Sequence, residues 1–226
     1  MFSIVIPMFN EAGNITSLIN EINKSLENIH EYEIILVDDA STDNTLELLN
    51  KNNFKKTKVL KNHKNRGQSF SIYEGVKKSS YKTIVTLDGD GQNDPADITK
   101  LYSYYVSNNK IKLVGGIRQK RKDSLIKIIS SKIANLIRSL ILNDQCKDTG
   151  CLLKVFDKNI FLSFPFFDGV HRFLPALYKG FGYKTKFVIV NHRKRIHGIS
   201  KYGTVNRLFA GIRDLIKVKK ILNKRY

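Results

Sequence analysis

Tryptophan is absent from this chain of 226 residues, and cysteine occurs only twice. Two cysteines at the spacing of Cys146 and Cys151 make neither a disulfide framework nor a four-ligand zinc site, so a reducing compartment is the simple inference. No apolar run reaches the ~18 residues that read as a membrane span. The N-terminal M-F-S-I-V-I-P has no basic leader and meets Glu11 early, so it is not read as a signal peptide. There is no G-x-G-x-x-G after the first expected strand and no G-x-x-x-x-G-K-[ST] anywhere, which removes the main support for dinucleotide and P-loop sites. Internal repeats, low-complexity segments, recognition-helix patterns and aromatic RNA motifs are missing too, so no specific nucleic acid is expected. Acid is also scarce: 20 Asp+Glu face 39 Lys+Arg, a net charge of +19. Such an excess favours an anionic partner, whether nucleic acid, an anionic membrane surface or a phosphorylated substrate, although a bias toward lysine codons accounts for part of it equally well.

What is present is globular in character, with 42% hydrophobic and 26% charged residues, in a length ample for one domain with a full core or one domain with an appendage. Ser3 to Pro7 reads as a strand buried on both faces. A helix follows with its apolar stripe at Ile15, Leu18, Ile19, Ile22 and Leu26. Tyr32 to Val37 is a second strand ending in Asp38-Asp39, and Ser41-Thr42-Asp43 caps a helix over 45–50. A short strand over 58–60, a polar loop from Asn62 to Gly67 and a helix from Gln68 to Ser79 come next. The β-α-β-α-β-α-β order, with connections long enough for right-handed crossovers, predicts an α/β fold: a mostly parallel, doubly wound sheet with helices on both faces.

The stretch from Lys82 to Asp97 organises the rest. Ile84-Val85-Thr86-Leu87 is a β-branched apolar run, the pattern of a buried strand. It stops at Asp88-Gly89-Asp90-Gly91-Gln92, and Asp94-Pro95 is read as the start of a helix. Carboxylates two residues apart on an extended chain point the same way. In open α/β sheets ligands sit beyond the carboxyl ends of strands, and Asp90 and Gln92 offer hard oxygen donors suited to Mg²⁺ or Mn²⁺ with substrate phosphates completing the shell. The plainer reading is a solvated turn rich in Asp and Gly. Glu11, Asp39, Asp88 and Asp90 all follow strands and are expected to converge along one edge.

The second half has a different texture. After a helix over 95–108 and a strand over 111–115 comes a basic loop, 118–121. A helix over 125–142 carries apolar Leu125, Ile126, Ile129, Ile133, Leu136, Ile137 and Leu140, a stripe read as core rather than membrane contact. Thr149 to Phe156 reads as a strand, His171 to Lys179 as a helix and Tyr183 to Val190 as a strand. From Arg193 to Tyr226 there are 11 Lys+Arg and one acid, Asp214. That tail begins with a glycine-punctuated basic loop. It continues as an amphipathic helix over 205–222, with Val205, Leu208, Phe209, Ile212, Leu215 and Ile216 on its apolar stripe. A basic amphipathic helix suits a membrane surface, or equally a helix packed on the domain with its charged face in water.

Several of these segments resemble one family in its own order: Ile4–Glu11, Val37–Thr45, Asn65–Gln68, Leu87–Pro95, Asp148–Cys151, His171–Leu177 and Asn191–Gly203. The chain resembles family-2 glycosyltransferases of the GT-A fold, and within them the polyprenyl-phosphate sugar transferases such as dolichyl-phosphate mannosyltransferase. The resemblance covers nearly the whole chain as one domain: a nucleotide-sugar half over 1–118, an acceptor half over 119–192, and a basic loop with the amphipathic helix over 193–226. It implies that Pro7, Phe9, Glu11, Val37 and Asp39 line the base and ribose, that Asn65 and Gly67 shape the floor of that pocket, and that Asp88 and Gly89 face the donor. It makes Asp90 and Gln92 the ligands of a Mg²⁺ or Mn²⁺ cofactor, and Arg118, Arg195, Ser200 and Lys201 binders of donor or acceptor phosphate, with Asp90 and Arg195 counted among the catalytic residues.

The implied reaction is metal-dependent inverting transfer of a sugar from a nucleotide-diphosphate sugar to a polyprenyl phosphate, on the cytosolic face of the membrane. Many members of the family carry transmembrane helices after this point, so membrane contact here is expected to be peripheral. A phosphate acceptor needs no general base, whereas a glycan or protein hydroxyl does, and Asp148, ahead of His171 and His197, is the candidate for that role. A non-catalytic nucleotide-binding or basic nucleic-acid-binding protein is the alternative of another class. An oligomer is compatible with all of these readings.

Overall fold

The computed structural model describes residues 1–52, 54–119, 135–195 and 204–224, the side chains of 204–210 excepted. In chain order the elements are β1 (Phe2–Met8), α1 (Ile15–Ser25), β2 (Tyr32–Asp38), α2 (Thr45–Lys51), β3 (Thr57–Lys61), α3 (Gln68–Lys78), β4 (Thr83–Thr86), α4 (Asp97–Val106) and β5 (Ile111–Arg118). They continue with α5 (described over 135–142), β6 (Lys154–Asp157), α6 (Lys158–Ser163), α7 (Val170–Gly180), β7 (Lys184–Val190) and α8 (Thr204–Asn223). One seven-stranded sheet runs in the order β3-β2-β1-β4-β6-β5-β7.

The first four strands pair in parallel, with β1 central between β2 and β4. Alternation along β1 and β2 sends side chains into two cores. Ile4, Ile6, Ile34 and Leu36 meet Ile15, Ile19 and Ile22 of α1, while Val5, Ile35 and Val37 meet Ile72 and Val76 of α3. Each such side chain, fully withdrawn from water, contributes about 1.5–3 kcal/mol. Gly75 lets α3 lie close on the sheet, because a Cβ there would stand 2.5 Å from Val5 Cγ1. The doubly wound α/β sheet expected from the element order is therefore what forms.

Three elements differ from expectation. The fourth helix begins at Asp97, about half a turn after Pro95: Asp94 still terminates the preceding loop, its side chain accepting the Ala96 N–H at 3.1 Å. The strand expected over 149–156 is confined to Lys154–Asp157 and runs antiparallel to both β4 and β5. The chain returning through α5 reaches the sheet at the end where β4 finishes, so Thr86 is paired with Lys154, and residues 148–153 are left as a turn at that edge. Antiparallel β6 thus carries Asp148 to the same rim as Asp88. A short helix, α6, follows directly, capped by Asp157, whose carboxylate accepts the Asn159 and Ile160 N–H groups.

The described part of the α5 stripe is not core. Leu136 is 59% exposed, Ile137 50% and Leu140 75%. The inward face instead carries Leu142 and Arg138, whose guanidinium bonds Asp144 and the Cys146 carbonyl. Residues 125–134 of that expected helix lie outside the described residues. On α8 the buried face is Asp214 and Val218, with Leu215, Ile221 and Leu222 partly covered, while Ile212 and Ile216 face outward. No helix among the described residues is long and apolar enough to cross a membrane.

Candidate functional site

The rim formed by the ends of β1, β2 and β4 gathers the acids. Asp39 caps β2: its N–H donates to Met8 O at 2.8 Å. Its carboxylate accepts from Asn62 Nδ2 at 2.7 Å, the Arg66 N–H at 2.9 Å and the Gly67 N–H at 2.8 Å. The loop before α3 is therefore wrapped around this one side chain, and Gly67 takes the left-handed backbone (φ 84°) that lets its N–H turn inward. Glu11 follows β1 and is buried. Its N–H donates to Thr45 Oγ1 at 2.9 Å, and its carboxylate accepts from Asn14 Nδ2 at 2.8 Å. Gly89 passes directly over this strand end, since a Cβ there would lie 3.3 Å from Pro7 O and 3.6 Å from Glu11 Cγ.

Asp88 is joined to α3. Its Oδ1 accepts from Gln68 Nε2 at 2.9 Å, and its N–H donates to Asn93 Oδ1 at 3.2 Å. Burial, reinforced by the negative charge of Asp90, pushes the Asp88 carboxyl up to about 7, against the opposing pull of Arg118, Lys154 and Gln68. Asp90 accepts the Gln92 N–H on Oδ1 at 3.1 Å and pairs through Oδ2 with Arg195. The segment from Asn191 to Arg195 is laced onto this loop. Gln92 O accepts the Arg193 N–H at 2.9 Å, Gln92 Nε2 donates to Arg193 O at 3.4 Å, and Arg193 pairs with Asp94 at 2.7 Å and with Glu21.

Arg118, the last residue of β5, forks onto Asp148. Nε meets Oδ2 at 2.8 Å, Nη2 meets Oδ1 at 2.7 Å, and the Arg118 N–H adds a third bond at 3.1 Å. Burial alone would lower this guanidinium, but the hydrogen bonds and charge of Asp148 outweigh it and raise the pKa. With both oxygens held in this way, Asp148 is not placed as a free general base. His171 is likewise tied down: its Nδ1 stands 2.6 Å from Ser69 Oγ, which accepts the Gly169 N–H at 2.7 Å. Enclosure, then the nearby charges of Arg172 and Lys154, keep His171 well below its usual pKa and neutral.

Of the sequence-derived site residues, Pro7, Glu11, Asp39, Gly67, Asp88, Gly89, Asp90, Gln92, Arg118, Asp148 and Arg195 meet along this rim. Phe9 is half-buried at the end of β1, and Asn65 is exposed on the loop that Asp39 holds. Val37 is a correction: its side chain is fully buried among Val5, Ile35 and Ile72, because strand alternation turns it toward α3 and away from the rim. Ser200, Lys201 and His197 lie outside the described residues. Gln68, Ser69 and Lys154 were not singled out from sequence. Gln68 closes the Asn65–Gln68 motif, and Lys154 stands alone as a charge inside the apolar run Cys151–Phe156, which is the signal that marks it.

The residues fit a hard divalent cation in one specific way. Among the described residues no group of three or more His, Cys, Asp or Glu side chains could hold a metal, so Asp90 and Gln92 provide at most a partial shell. That suits a cation which keeps ligand phosphates and water in its remaining positions. Asp90 Oδ2, now bonded to Arg195, is the oxygen such an ion would share or take.

The family model "Glycosyl transferase family 2" matches residues 3–165. A dodecaprenyl-phosphate galacturonate synthase of Rhizobium johnstonii is 34% identical over 96% of this chain and 65% of its own length. An undecaprenyl-phosphate 4-deoxy-4-formamido-L-arabinose transferase of Yersinia pestis is 34% identical over 95% of this chain and 66% of its own. The chain thus spans about two-thirds of the curated relatives it matches. Among solved structures, glucosyl-3-phosphoglycerate synthase of Mycobacterium tuberculosis, in complex with Mn²⁺ and UDP, superposes with a TM-score of 0.73 at 17% identity, covering 96% of this chain and 78% of that one. Mannosyl-3-phosphoglycerate synthase of Rubrobacter xylanophilus gives 0.72 at 14% identity, covering 100% and 75%. The fold is GT-A, and by the match across most of its length this chain belongs to glycosyl transferase family 2.

Proposed function

We propose that the protein transfers a sugar from a nucleotide-diphosphate sugar to a polyprenyl phosphate, with Mg²⁺ or Mn²⁺ bound through Asp90 and Gln92. The observation that carries this reading is the gathering of Asp88, Asp90, Gln92, Arg118 and Arg195 on one rim beside the carboxylates of Glu11 and Asp39. Support for the acceptor comes from the two curated relatives, both named for polyprenyl-phosphate sugar transfer. Support for the cation comes from the structural relative in complex with Mn²⁺ and UDP.

The chemistry follows from charge. As the bond from the anomeric carbon to the diphosphate oxygen breaks, negative charge grows on the leaving group and the sugar gains oxocarbenium character. A bound divalent cation supplies Lewis-acid stabilisation of that leaving group. Arg195 and Arg118, both partly buried, place guanidinium groups on the same side. Asp39 is hydrogen-bonded to neutral donors and keeps acceptor capacity for base or ribose. Asp88 sits between Gln68 and the donor position, suited to orient the sugar. An ionised phosphate acceptor attacks without proton removal, so the engagement of Asp148 by Arg118 favours it over a hydroxyl acceptor.

An anionic membrane surface is the place for a lipid acceptor. The outward Leu136, Ile137, Leu140 and Ile141 of α5, and Ile212 and Ile216 of α8 with Lys217, Lys219 and Lys220 close by, suit peripheral contact there. The sequence-level reading puts that contact on the cytosolic face.

The test is turnover. The protein is incubated with radiolabelled UDP- and GDP-sugars, undecaprenyl phosphate in mixed micelles, and Mn²⁺ or chelator. A chloroform-soluble labelled product that disappears with chelator is expected. Label appearing only on a glycan or protein acceptor, or an unchanged rate in chelator, would overturn the reading.

A further inference from the structure

Lys154 opens β6 in the middle of the sheet, opposite Thr86 of β4 and Gly115 of β5. It is 1% exposed. Its flanking residues on the same face, Leu152 and Phe156, lie in the core packed on α3 and α7, so an apolar side chain would be the ordinary occupant. A buried ammonium is costly unless its donors are used. Among the described residues Lys154 makes no ion pair. Its Nζ donates to the carbonyl of Cys151 and, at 3.5 Å, to that of Thr149. Burial lowers its pKa, with the surrounding thiols and carboxylates, Asp148 and Asp88 among them, acting in the opposite direction.

Those two carbonyls belong to the turn on which Arg118 rests. Asp148 holds the guanidinium by two bonds. Gly150 forms the floor beneath it, where a Cβ would lie 2.8 Å from Arg118 Nη2. Cys151, fully buried, ends the turn against Gly116 of β5, at which a Cβ would come within 2.9 Å of its sulfur. Residues 148–153 belong to no strand; the Leu153 carbonyl accepts the Gly116 N–H at 2.9 Å and the Leu152 carbonyl accepts from Thr86 Oγ1 at 2.6 Å, which leaves the carbonyls of Thr149 and Cys151 to be served by a side-chain donor. Lys154 supplies that donor from directly beneath.

We propose that Lys154 is a positioning residue, a buried ammonium that fixes the Asp148–Cys151 turn and thereby sets the place of the Arg118 guanidinium. The consequence for catalysis rests on the function proposed above. The placement of the turn does not.

The experiment compares Lys154→Met, Lys154→Arg and Arg118→Ala with wild type by two readouts. The first, amide hydrogen–deuterium exchange over 148–153, is independent of activity. Exchange about tenfold faster in Lys154→Met, restored in Lys154→Arg, and with the rest of the sheet unchanged, is expected. The second is a split of kcat from donor KM. Lys154→Met should lower kcat about 30-fold with KM within about threefold, and Lys154→Met combined with Arg118→Ala should be no worse than Arg118→Ala alone, because the two act as one unit.

Wild-type exchange of the turn in a folded Lys154→Met, or multiplicative losses in the double variant, would overturn the inference. If Lys154→Met does not fold, Lys154→Leu takes its place, since it also fills the buried position without a donor for the two carbonyls, and the same readings apply. A wild type that transfers no sugar defeats the functional reading, while the exchange readout still decides the role of Lys154.

Discussion

The two halves of the rim hold their carboxylates in different ways. On the nucleotide side neutral groups hold Asp39 and Asp43: Asp39 accepts two backbone N–H groups and an amide, and Asp43 accepts from Thr45 and the Ala12 N–H. On the other side of the rim guanidinium groups hold the carboxylates: Arg195 on Asp90 and Arg118 on Asp148. A carboxylate fixed by neutral donors keeps its charge and its spare lone pairs, which suits hydroxyl and N–H groups of a ribose and base. A carboxylate fixed by arginine is neutralised, so the region around it can accept an anion without repulsion. The division matches a ligand with a neutral end and a diphosphate end.

The sharpest way to break this comparison is at the junction. Asp90→Ala removes a proposed cation ligand and leaves Arg195 without its partner. A fall in kcat of about 10³ is expected, as for loss of a major electrostatic element, together with weakened Mn²⁺ binding by calorimetry. Near-normal turnover would show that the cation is not held here. Next comes the arginine side. Asp148→Asn keeps the shape but not the charge, and should lower kcat about 30- to 100-fold, because the fork that orients Arg118 is lost. If Asp148 were instead a general base, the loss would depend on acceptor type and vanish with a phosphate acceptor. A hydroxyl acceptor and a phosphate acceptor therefore give opposite answers.

On the neutral side the effect is smaller and falls on binding. Asp39→Ala strands the Arg66 and Gly67 N–H groups and loosens the loop before α3. Each charged hydrogen bond of this kind is worth about 1.5–3 kcal/mol. Nucleotide affinity should fall about 10- to 50-fold with kcat at saturation changed much less, and the melting temperature should drop by a few degrees.

Much of the nucleotide side was legible in the sequence because its interactions are made by strand ends and the loops beside them. Asp39, Asp88 and Asp90 each follow a β-branched run, and the glycines at 67 and 89 mark where the backbone must turn or pass closely. Val37 was misplaced because the family motif says nothing about which way a residue faces; strand alternation does, and puts it in the core. The arginine side was less legible. Arg118 and Asp148 are separated by 30 residues, and their meeting depends on β6 entering antiparallel, which no local pattern encodes. The α5 stripe has helical periodicity, but periodicity fixes a face and not its neighbour, and Leu136, Ile137 and Leu140 are left exposed. Lys154 was visible as a charge inside an apolar run, with its role set by a turn whose fold is tertiary.

The pH dependence of the metal-free protein sharpens the contrast from another side. Asp88 is the rim carboxylate raised to about 7, above its unfolded value near 4. The folded state then binds this proton more tightly than the unfolded chain does. Its contribution to stability is fully present below about pH 4 and is lost as pH rises through 7. In chelator, Asp88→Asn should therefore flatten the decline in melting temperature between pH 4 and 7. An equal slope in wild type and variant would show that Asp88 is not the group responsible.

The smallest effect is expected farthest from the chemistry, on the outward faces of α5 and α8. Leu140 is 75% exposed, so Leu140→Glu removes no packing and should leave the melting temperature and the turnover of a short-chain, water-soluble acceptor unchanged. If this face meets lipid, the same substitution places a carboxylate against an anionic surface and withdraws an apolar anchor. Binding to vesicles containing phosphatidylglycerol should weaken about tenfold, and turnover of a long-chain acceptor in those vesicles should follow it. Ile216→Glu on α8 supplies the paired measurement. If both variants bind vesicles like wild type, the apolar faces have another partner and the acceptor must reach the rim without them. If only Leu140→Glu is impaired, the contact lies with the helix whose chain runs on into the Asp148 turn, which places the lipid headgroup beside Arg118 and not beside Asp39.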